Sequence, residues 1–280
     1  MDEGSAALVA AGLGKRYRRG WALKDCTFTL PVGRIAALIG PNGAGKSTLM
    51  ALATGLLRAT EGTVDVLGRP GFLAQGKPLY PRFTVEEMLR AGRKLNPDWD
   101  DEYARRLVDE ARVPLGARIR TLSGGQRTRV ALAVTLGRRP EVVLLDEPLA
   151  DLDPLARQEV MRALMAEVAE TGTTVVLSSH VIADLDGICD HLLLLSEGRV
   201  RLAGDVEDLL AEHRLLVGPR SLEVPPEVVV ERRDAERQST VLVRGLVDLP
   251  DVEVLDPTLE ELALGYLRAG RAAAERKVAA

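Results

Sequence analysis

The sequence predicts an α/β fold with a mainly parallel sheet, a helical subdomain inserted between two of its strands, and a small α/β appendage at the C-terminal end. Short apolar runs at residues 34–39, 141–145 and 173–178 have the length of strands buried on both faces. Stretches of helical pattern lie between them. A glycine-rich turn joins the first run to the first helix.

Each element has its own justification. Residues 34–39 (RIAALI) end at Gly40, and residues 46–57 follow as a helix with no proline inside it. From about residue 78 to 137 the pattern is helical, at 84–95, 100–111 and 125–136, with Pro97 and Pro114 as breaks and no strong strand. This is the expected helical subdomain. Residues 141–145 form the next strand. In residues 155–170, Val160, Leu164 and Val168 fall on one helical face, with Met161 and Met165 beside it. Residues 173–178, rich in valine, complete strand–helix–strand units of the right-handed parallel kind. Residues 192–195 and 200–202, split by Glu197-Gly198, read as a closing hairpin. Beyond Gly218-Pro219, residues 227–233 and 238–244 form a second expected hairpin around 234–237. Asp256-Pro257 precedes a short amphipathic helix, 258–267, and the alanine-rich end, 272–280, is expected to fray. The expected division is residues 1–217 and 218–280.

Composition narrows the function classes. The 280 residues carry 37 basic and 41 acidic side chains, a net charge of −4. The isoelectric point near 5.6 argues against a generally basic nucleic-acid footprint, leaving room only for a local basic patch. Two cysteines make neither a disulfide framework nor a four-cysteine zinc site, and suit a reducing cytosol. No apolar run approaches the roughly 20 residues of a membrane span, and the Met1-Asp2-Glu3 start lacks a basic leader. The expectation is a cytoplasmic chain, neither secreted nor membrane-spanning.

The motif with the most chemistry is Gly40-Pro41-Asn42-Gly43-Ala44-Gly45-Lys46-Ser47-Thr48, a G-x-x-x-x-G-K-[ST] loop between a buried strand and a helix. Such a loop wraps backbone N–H groups around phosphate oxygens at a helix N-terminus. Lys46 is placed to reach the β- and γ-phosphates and Ser47 to ligate Mg²⁺. Asp146 and Glu147 emerge at the C-terminal end of the 141–145 strand, where open α/β sheets bind ligands. Asp146 is expected to hold Mg²⁺ through its water shell, and Glu147 to polarise the attacking water. A second anion-binding element is Leu122-Ser123-Gly124-Gly125-Gln126-Arg127, which opens a helix with Ser123 at the N-cap. One nucleotide site has no obvious need of two such elements.

That six-residue string, with the lysine loop and the acidic pair, resembles the signature of ATP-binding cassette (ABC) ATPases, and the resemblance covers about residues 6–215. The implied fold is a P-loop NTPase core of the ABC type. The family likeness assigns Tyr17, set among Lys15, Arg16, Arg18 and Arg19, to stacking on adenine. It assigns Gln75, in Phe72-Leu73-Ala74-Gln75, to sensing the γ-phosphate and Mg²⁺, and His180 to contacting the γ-phosphate as a switch. His191 and His213 have no motif around them and read as surface or packing residues. After Glu147-Pro148 the family usually shows small hydroxyl residues and then Gly-Leu-Asp. Here Leu149-Ala150-Asp151-Leu152-Asp153 keeps only the last two.

The resemblance also implies partners. Two cassettes, a homodimer or a pair with a related cassette, would sandwich ATP between the lysine loop of one and Ser123–Gln126 of the other. Separate integral membrane subunits would carry substrate, their loops docking near Gln75. The chain would lie on the inner face of the cell membrane. The 96–100 turn (Asn-Pro-Asp-Trp-Asp) and the 256–261 segment are similar to export-type cassettes, so the expected function is an ATP-hydrolysing transporter subunit leaning toward export. The alternative is an ABC ATPase acting on nucleic acid or ribosomes. A small-molecule kinase would leave residues 122–127 and His180 unexplained.

Overall fold

The computed structural model describes residues 5–150, 152–182, 185, 187–247, 249 and 252–279, the last seven as backbone only. The chain opens with β1 (Ala6–Tyr17) and β2 (Gly20–Pro31), an antiparallel hairpin, followed by β3 (Ile35–Ile39), α1 (Lys46–Ala53), β4 (Glu61–Val66) and β5 (Gly71–Leu73). β1, β2 and β4 make a separate antiparallel sheet, in the order β2-β1-β4. The sequence reading did not resolve these strands. Register shifts between Ala10 and Leu13 break the alternation of β1, and Gly12 adopts φ +56 there while its N–H donates to Thr27 Oγ1. The helix expected to reach residue 57 ends at Ala53, because Gly55 turns left-handed with φ +73.

Next come α2 (Val85–Leu95), α3 (Asp101–Glu110), a 3₁₀ turn at Ile119–Thr121, and α4 (Gly124–Leu136). These helices share a core of Val85, Leu89, Ala104, Val108, Ile119 and Val130. Trp99, in the turn between α2 and α3, sits where Gly92 and Gly137 present no side chain; a Cβ on either would come within 2.6 or 2.7 Å of its ring.

The remaining elements are β6 (Val142–Leu145), α5 (Pro154–Thr171), β7 (Thr174–Ser179), β8 (His191–Ser196), β9 (Arg199–Asp205), α6 (Val206–Ala211), β10 (His213–Pro219), β11 (Val229–Asp234), β12 (Gln238–Arg244), β13 (Glu253–Leu255) and α7 (Leu259–Ala279). The central sheet runs β5-β6-β7-β3-β8-β9. It is parallel except for β9, which returns antiparallel beside β8. Successive strand residues point to opposite faces. Accordingly Ile35, Ala37 and Ile39 of β3 join the core beneath α4 and α5, while Ala36 and Leu38 join the core shared with α1 and the antiparallel sheet. Both faces are covered, which is why these strands read as unbroken apolar runs.

The C-terminal sheet runs β11-β12-β10-β13. Its strand β10 straddles the division expected at residue 217, because His213 already pairs with Arg244. Leu215, Leu242, Leu259 and Leu262 belong to the main core, so the appendage and the cassette share one apolar interior. Thr258 and Glu261 cap α7 reciprocally. The helix passes residue 267 and continues through the alanine-rich end to Ala279; alanine is the strongest helix former. His213, with Nε2 2.9 Å from the Tyr266 hydroxyl, and His191 are buried packing residues.

One buried acid sets a pH dependence. Glu167 of α5 is 4% exposed. Thr171 Oγ1 lies 3.2 Å from its Oε1, and Thr173 links that hydroxyl to the Pro140 carbonyl. The charge acting on it is Glu170, itself paired with Arg106 of α3 at 3.1 Å. Burial pushes the Glu167 carboxyl up from 4.5 to about 7. The folded chain therefore keeps this proton to higher pH than the unfolded chain. Stability falls as pH rises from about 4.5 to about 7 and stays lower above that window. Glu167→Gln is expected to be the more stable form at pH 8, with an advantage that shrinks toward pH 4.5 in thermal unfolding followed across pH.

Candidate nucleotide site

The loop from Gly40 to Thr48 links β3 to α1, and its shape depends on two glycines. Gly43 and Gly45 hold φ values of +81 and +109. A Cβ on Gly45 would lie 2.7 Å from the Ala22 carbonyl and 2.6 Å from Leu23 Cδ2. Gly40 is also confined, since a Cβ there would strike the Leu195 carbonyl. Gly45 occupies the N-cap of α1 and no side chain caps it, so the first-turn N–H groups are available to an anion. Lys46 is 6% exposed. Its Nζ donates to the carbonyls of Gly40 at 2.7 Å and Pro41 at 3.4 Å, and lies 3.7 Å from Glu147 Oε1.

Parallel pairing brings the other groups to the same edge. Leu73, Leu145 and Leu177 stand side by side on β5, β6 and β7, so Gln75, Asp146-Glu147 and His180 all follow strand ends there. His180 Nδ1 is 3.1 Å from Glu147 Oε2. A cleft of about 590 Å³ is lined by Asn42, Gly43, Gly45, Lys46, Ser47, Thr48, Gln75, Glu147 and His180, together with Ala22 and Ala150. That volume is in the range of small-molecule pockets. Asp146 is buried behind this wall, with Oδ1 accepting from Ser178 Oγ at 2.8 Å. The sequence reading did not single out Ser178. Its signal is a hydroxyl inside a strand otherwise rich in valine.

Two expected groups stand apart from this cleft. Tyr17 lies at the tip of the β1–β2 hairpin opposite Gly20, 46% exposed, with Lys15 Nζ 5.4 Å from its ring centre. The Ser123–Gln126 element begins α4, where Ser123 Oγ accepts from Gln126 N–H and Gln126 Oε1 accepts from Ser123 N–H. None of these residues lines the cleft. In the loop after Pro148, Leu149 and Leu152 are buried in the main core and Asp153 caps α5 through Ala156 N–H. Asp151 falls outside the described residues. The departure from the hydroxyl pattern thus puts a core leucine, Leu149, at a position the family usually fills with a small hydroxyl residue.

The oxygen donors suit Mg²⁺, which favours carboxylate, hydroxyl, water and phosphate oxygens. Ser47 lines the cleft, and the buried Asp146 carboxylate has one oxygen fixed by Ser178. Among the described residues no group of three His, Cys, Asp or Glu side chains forms a metal cage. A cation here would therefore take its remaining ligands from phosphate and water.

A family model described as ABC transporter matches residues 23–150, from β2 through the acidic pair. The energy-coupling factor transporter ATP-binding protein EcfA2 of Symbiobacterium thermophilum is 34% identical over 277 residues, covering 91% of this chain and 92% of its own. The chain belongs to the ABC transporter ATP-binding family. It is an ATP-binding, ATP-hydrolysing cassette. The cassette is also 30% identical to the sulfate/thiosulfate import protein CysA of Mycolicibacterium paratuberculosis, over 88% of this chain and 78% of that one. Solved structures agree on the fold. An ATP-binding subunit of an ABC transporter superposes with TM-score 0.66 at 29% identity, over 73% of this cassette and 92% of that chain. A CbiO1 subunit from Clostridium perfringens, described as part of the CbiONQ transporter complex, gives TM-score 0.64 at 28% identity, over 74% and 91%.

Replacement of Gly45 by alanine in the cassette is expected to abolish ATP binding and to lower the unfolding midpoint. The added methyl must meet both a backbone carbonyl and Leu23 at a positive φ. Isothermal titration with ATP, alongside thermal unfolding, checks both effects.

Proposed function

We propose that this cassette drives substrate movement through separate membrane subunits by closing on ATP as a head-to-tail pair and reopening after hydrolysis. The observation that carries the reading is the convergence of Lys46, Glu147 and His180 in one cleft, with Ser123–Gln126 outside it. A second chain then supplies the second anion-binding element. The homodimer is the simplest such pair, and a related cassette would serve the same geometry.

In this reading the 40–48 loop and α1 bind the phosphates, and Lys46 leaves the Gly40 carbonyl to meet the β- and γ-oxygens. Tyr17 stacks on the adenine, and Gln75 stands beside the γ-phosphate. Ser47 and Asp146, with Gln75, would hold Mg²⁺, which when bound neutralises charge on the phosphate oxygens. Glu147 accepts a proton from water as that oxygen bonds to the γ-phosphorus and the bridging bond to ADP breaks. His180, held by Glu147 at 3.1 Å, contacts the γ-phosphate. The exposed aromatic pair Tyr80–Phe83, with ring centres 5.0 Å apart, follows Gln75 and is the surface offered to membrane subunits. No helix among the described residues is long and apolar enough to cross a membrane. Attachment to the inner membrane face would come through those subunits.

The expected lean toward export has no support. Relatives at similar identity are named for sulfate/thiosulfate import and for energy-coupling factor transport, and the 96–100 turn has a packing role through Trp99. The function proposed is therefore transport without an assigned direction. Action on nucleic acid or ribosomes is not favoured, because the relatives compared are transporter subunits.

Two outcomes test the reading. Tyr17→Ala is expected to weaken ATP binding by about 1–3 kcal/mol, the range for stacking on an aromatic, with turnover at saturating ATP changing less. Equilibrium binding with ATP decides it. Glu147→Gln is expected to bind ATP while hydrolysis slows about 10²–10⁴-fold. An ATP-dependent dimer then accumulates, seen by size-exclusion chromatography with ATP and absent with ADP. Adding Ser123→Arg removes it. A monomer that persists with membrane subunits present, or a dimer indifferent to nucleotide, refutes the sandwich.

A further inference from the structure

Ser178 occupies a position where a hydroxyl is costly. It is 1% exposed, in a strand whose six residues are all buried. A buried hydroxyl without partners costs free energy that valine or alanine would not. Here the group uses both its capacities. Ser178 Oγ–H donates to Asp146 Oδ1 at 2.8 Å, and the same oxygen accepts from Glu147 N–H at 2.8 Å. Register explains the reach. Leu177 pairs with Leu145, the last residue of β6, so Ser178 stands one step on. It lies beside Asp146, whose N–H still donates to the Leu73 carbonyl, and Glu147, whose N–H goes to the serine hydroxyl instead of a strand carbonyl.

The backbone at this point needs holding. Glu147 adopts φ +47, in the left-handed region that costs a non-glycine residue of order 1 kcal/mol or more. Its N–H is turned out of the strand ladder and into the serine. With that N–H fixed, the Glu147 carboxylate meets Lys46 on one side and His180 on the other, at 3.7 and 3.1 Å. Fixing Asp146 Oδ1 likewise orients the second oxygen.

We propose that Ser178 is a positioning residue for ATP hydrolysis, a single hydroxyl that locks the two acids in one arrangement and acts through Glu147. The proposal rests on the hydrolytic role of Glu147 given above. It assigns Ser178 no contact with nucleotide. Removing it should lower the rate of the chemical step and leave binding nearly intact.

The test uses the full chain with Ser178→Ala, Ser178→Thr and Glu147→Gln, singly and with Ser178→Ala combined with Glu147→Gln. Ser178→Ala is expected to lower kcat about 10–100-fold, the usual loss for a supporting hydrogen bond of this kind. KM and the ATP dissociation constant should stay within about threefold. Ser178→Thr keeps the hydroxyl and should recover most of kcat. In the Glu147→Gln background, Ser178→Ala should change the single-turnover rate less than about twofold, because two groups acting as one unit are not additive. A kcat for Ser178→Ala within about twofold of the wild type overturns the proposal. So does a full additional loss in the Glu147→Gln background, or a folded, ATP-binding Ser178→Thr as slow as Ser178→Ala. If Glu147→Gln itself turns over at the wild-type rate, the parent reading fails whatever Ser178 does.

Discussion

The in-register pairing of β6, β7 and β3 is the constraint on which the rest depends. Hydrogen bonds between parallel strands fix where each strand ends relative to its neighbours. Leu145 beside Leu177, and Ile39 beside Ser179, bring the lysine loop, the acidic pair and His180 to one rim of the sheet. Nothing in that arrangement depends on long-range attraction between the charged groups. It accompanies the burial of both faces of short aliphatic strands. Chemistry is then left to the residues just past the last paired position.

α4 shows how the second anion-binding element is held apart from the first. Val130 and Ala133 pack into the core of the helical region, while Ala131, Leu132 and Leu136 pack into the main core. The helix is buried on two sides and exposed at its N-terminus, where the reciprocal Ser123–Gln126 bonds fix the entry of the chain. Arg129 ties it to α5 through Glu159 at 2.9 Å. Ser123 is thus presented from a rigid support, on an exposed surface of the chain.

The parts of the site legible in the sequence are those where chemistry is local. A loop that needs left-handed backbone at Gly43 and Gly45 must write glycine there, and an acid at a strand end shows as a charge after four apolar residues. What stayed hidden depends on partners distant in sequence. β1 and β2 were unreadable because their alternation is broken at Gly12 and repaired by Thr27 across the hairpin. Ser178 carries no motif, and its role appears only when β7 lies against β6. Leu149 looks like a lost hydroxyl position until the core beneath it is seen. The start of the C-terminal sheet could not be located from Gly218-Pro219, since β10 pairs straight through that dipeptide.

The shared interior between cassette and tail bears on how such chains can be recombined. Leu209 and Leu215 reach the same apolar cluster as Leu242, Leu259 and Leu262. A cut at the apparent linker would split a strand lengthwise from its partner and open greasy surface on both halves. Modules in this architecture are not beads on a string. A graft that brings a foreign tail onto this core must carry β10 with it and match the shape of α7 against β8 and β9. Tail and core are therefore bound to change together, each new side chain on one side answered by a fitting one on the other.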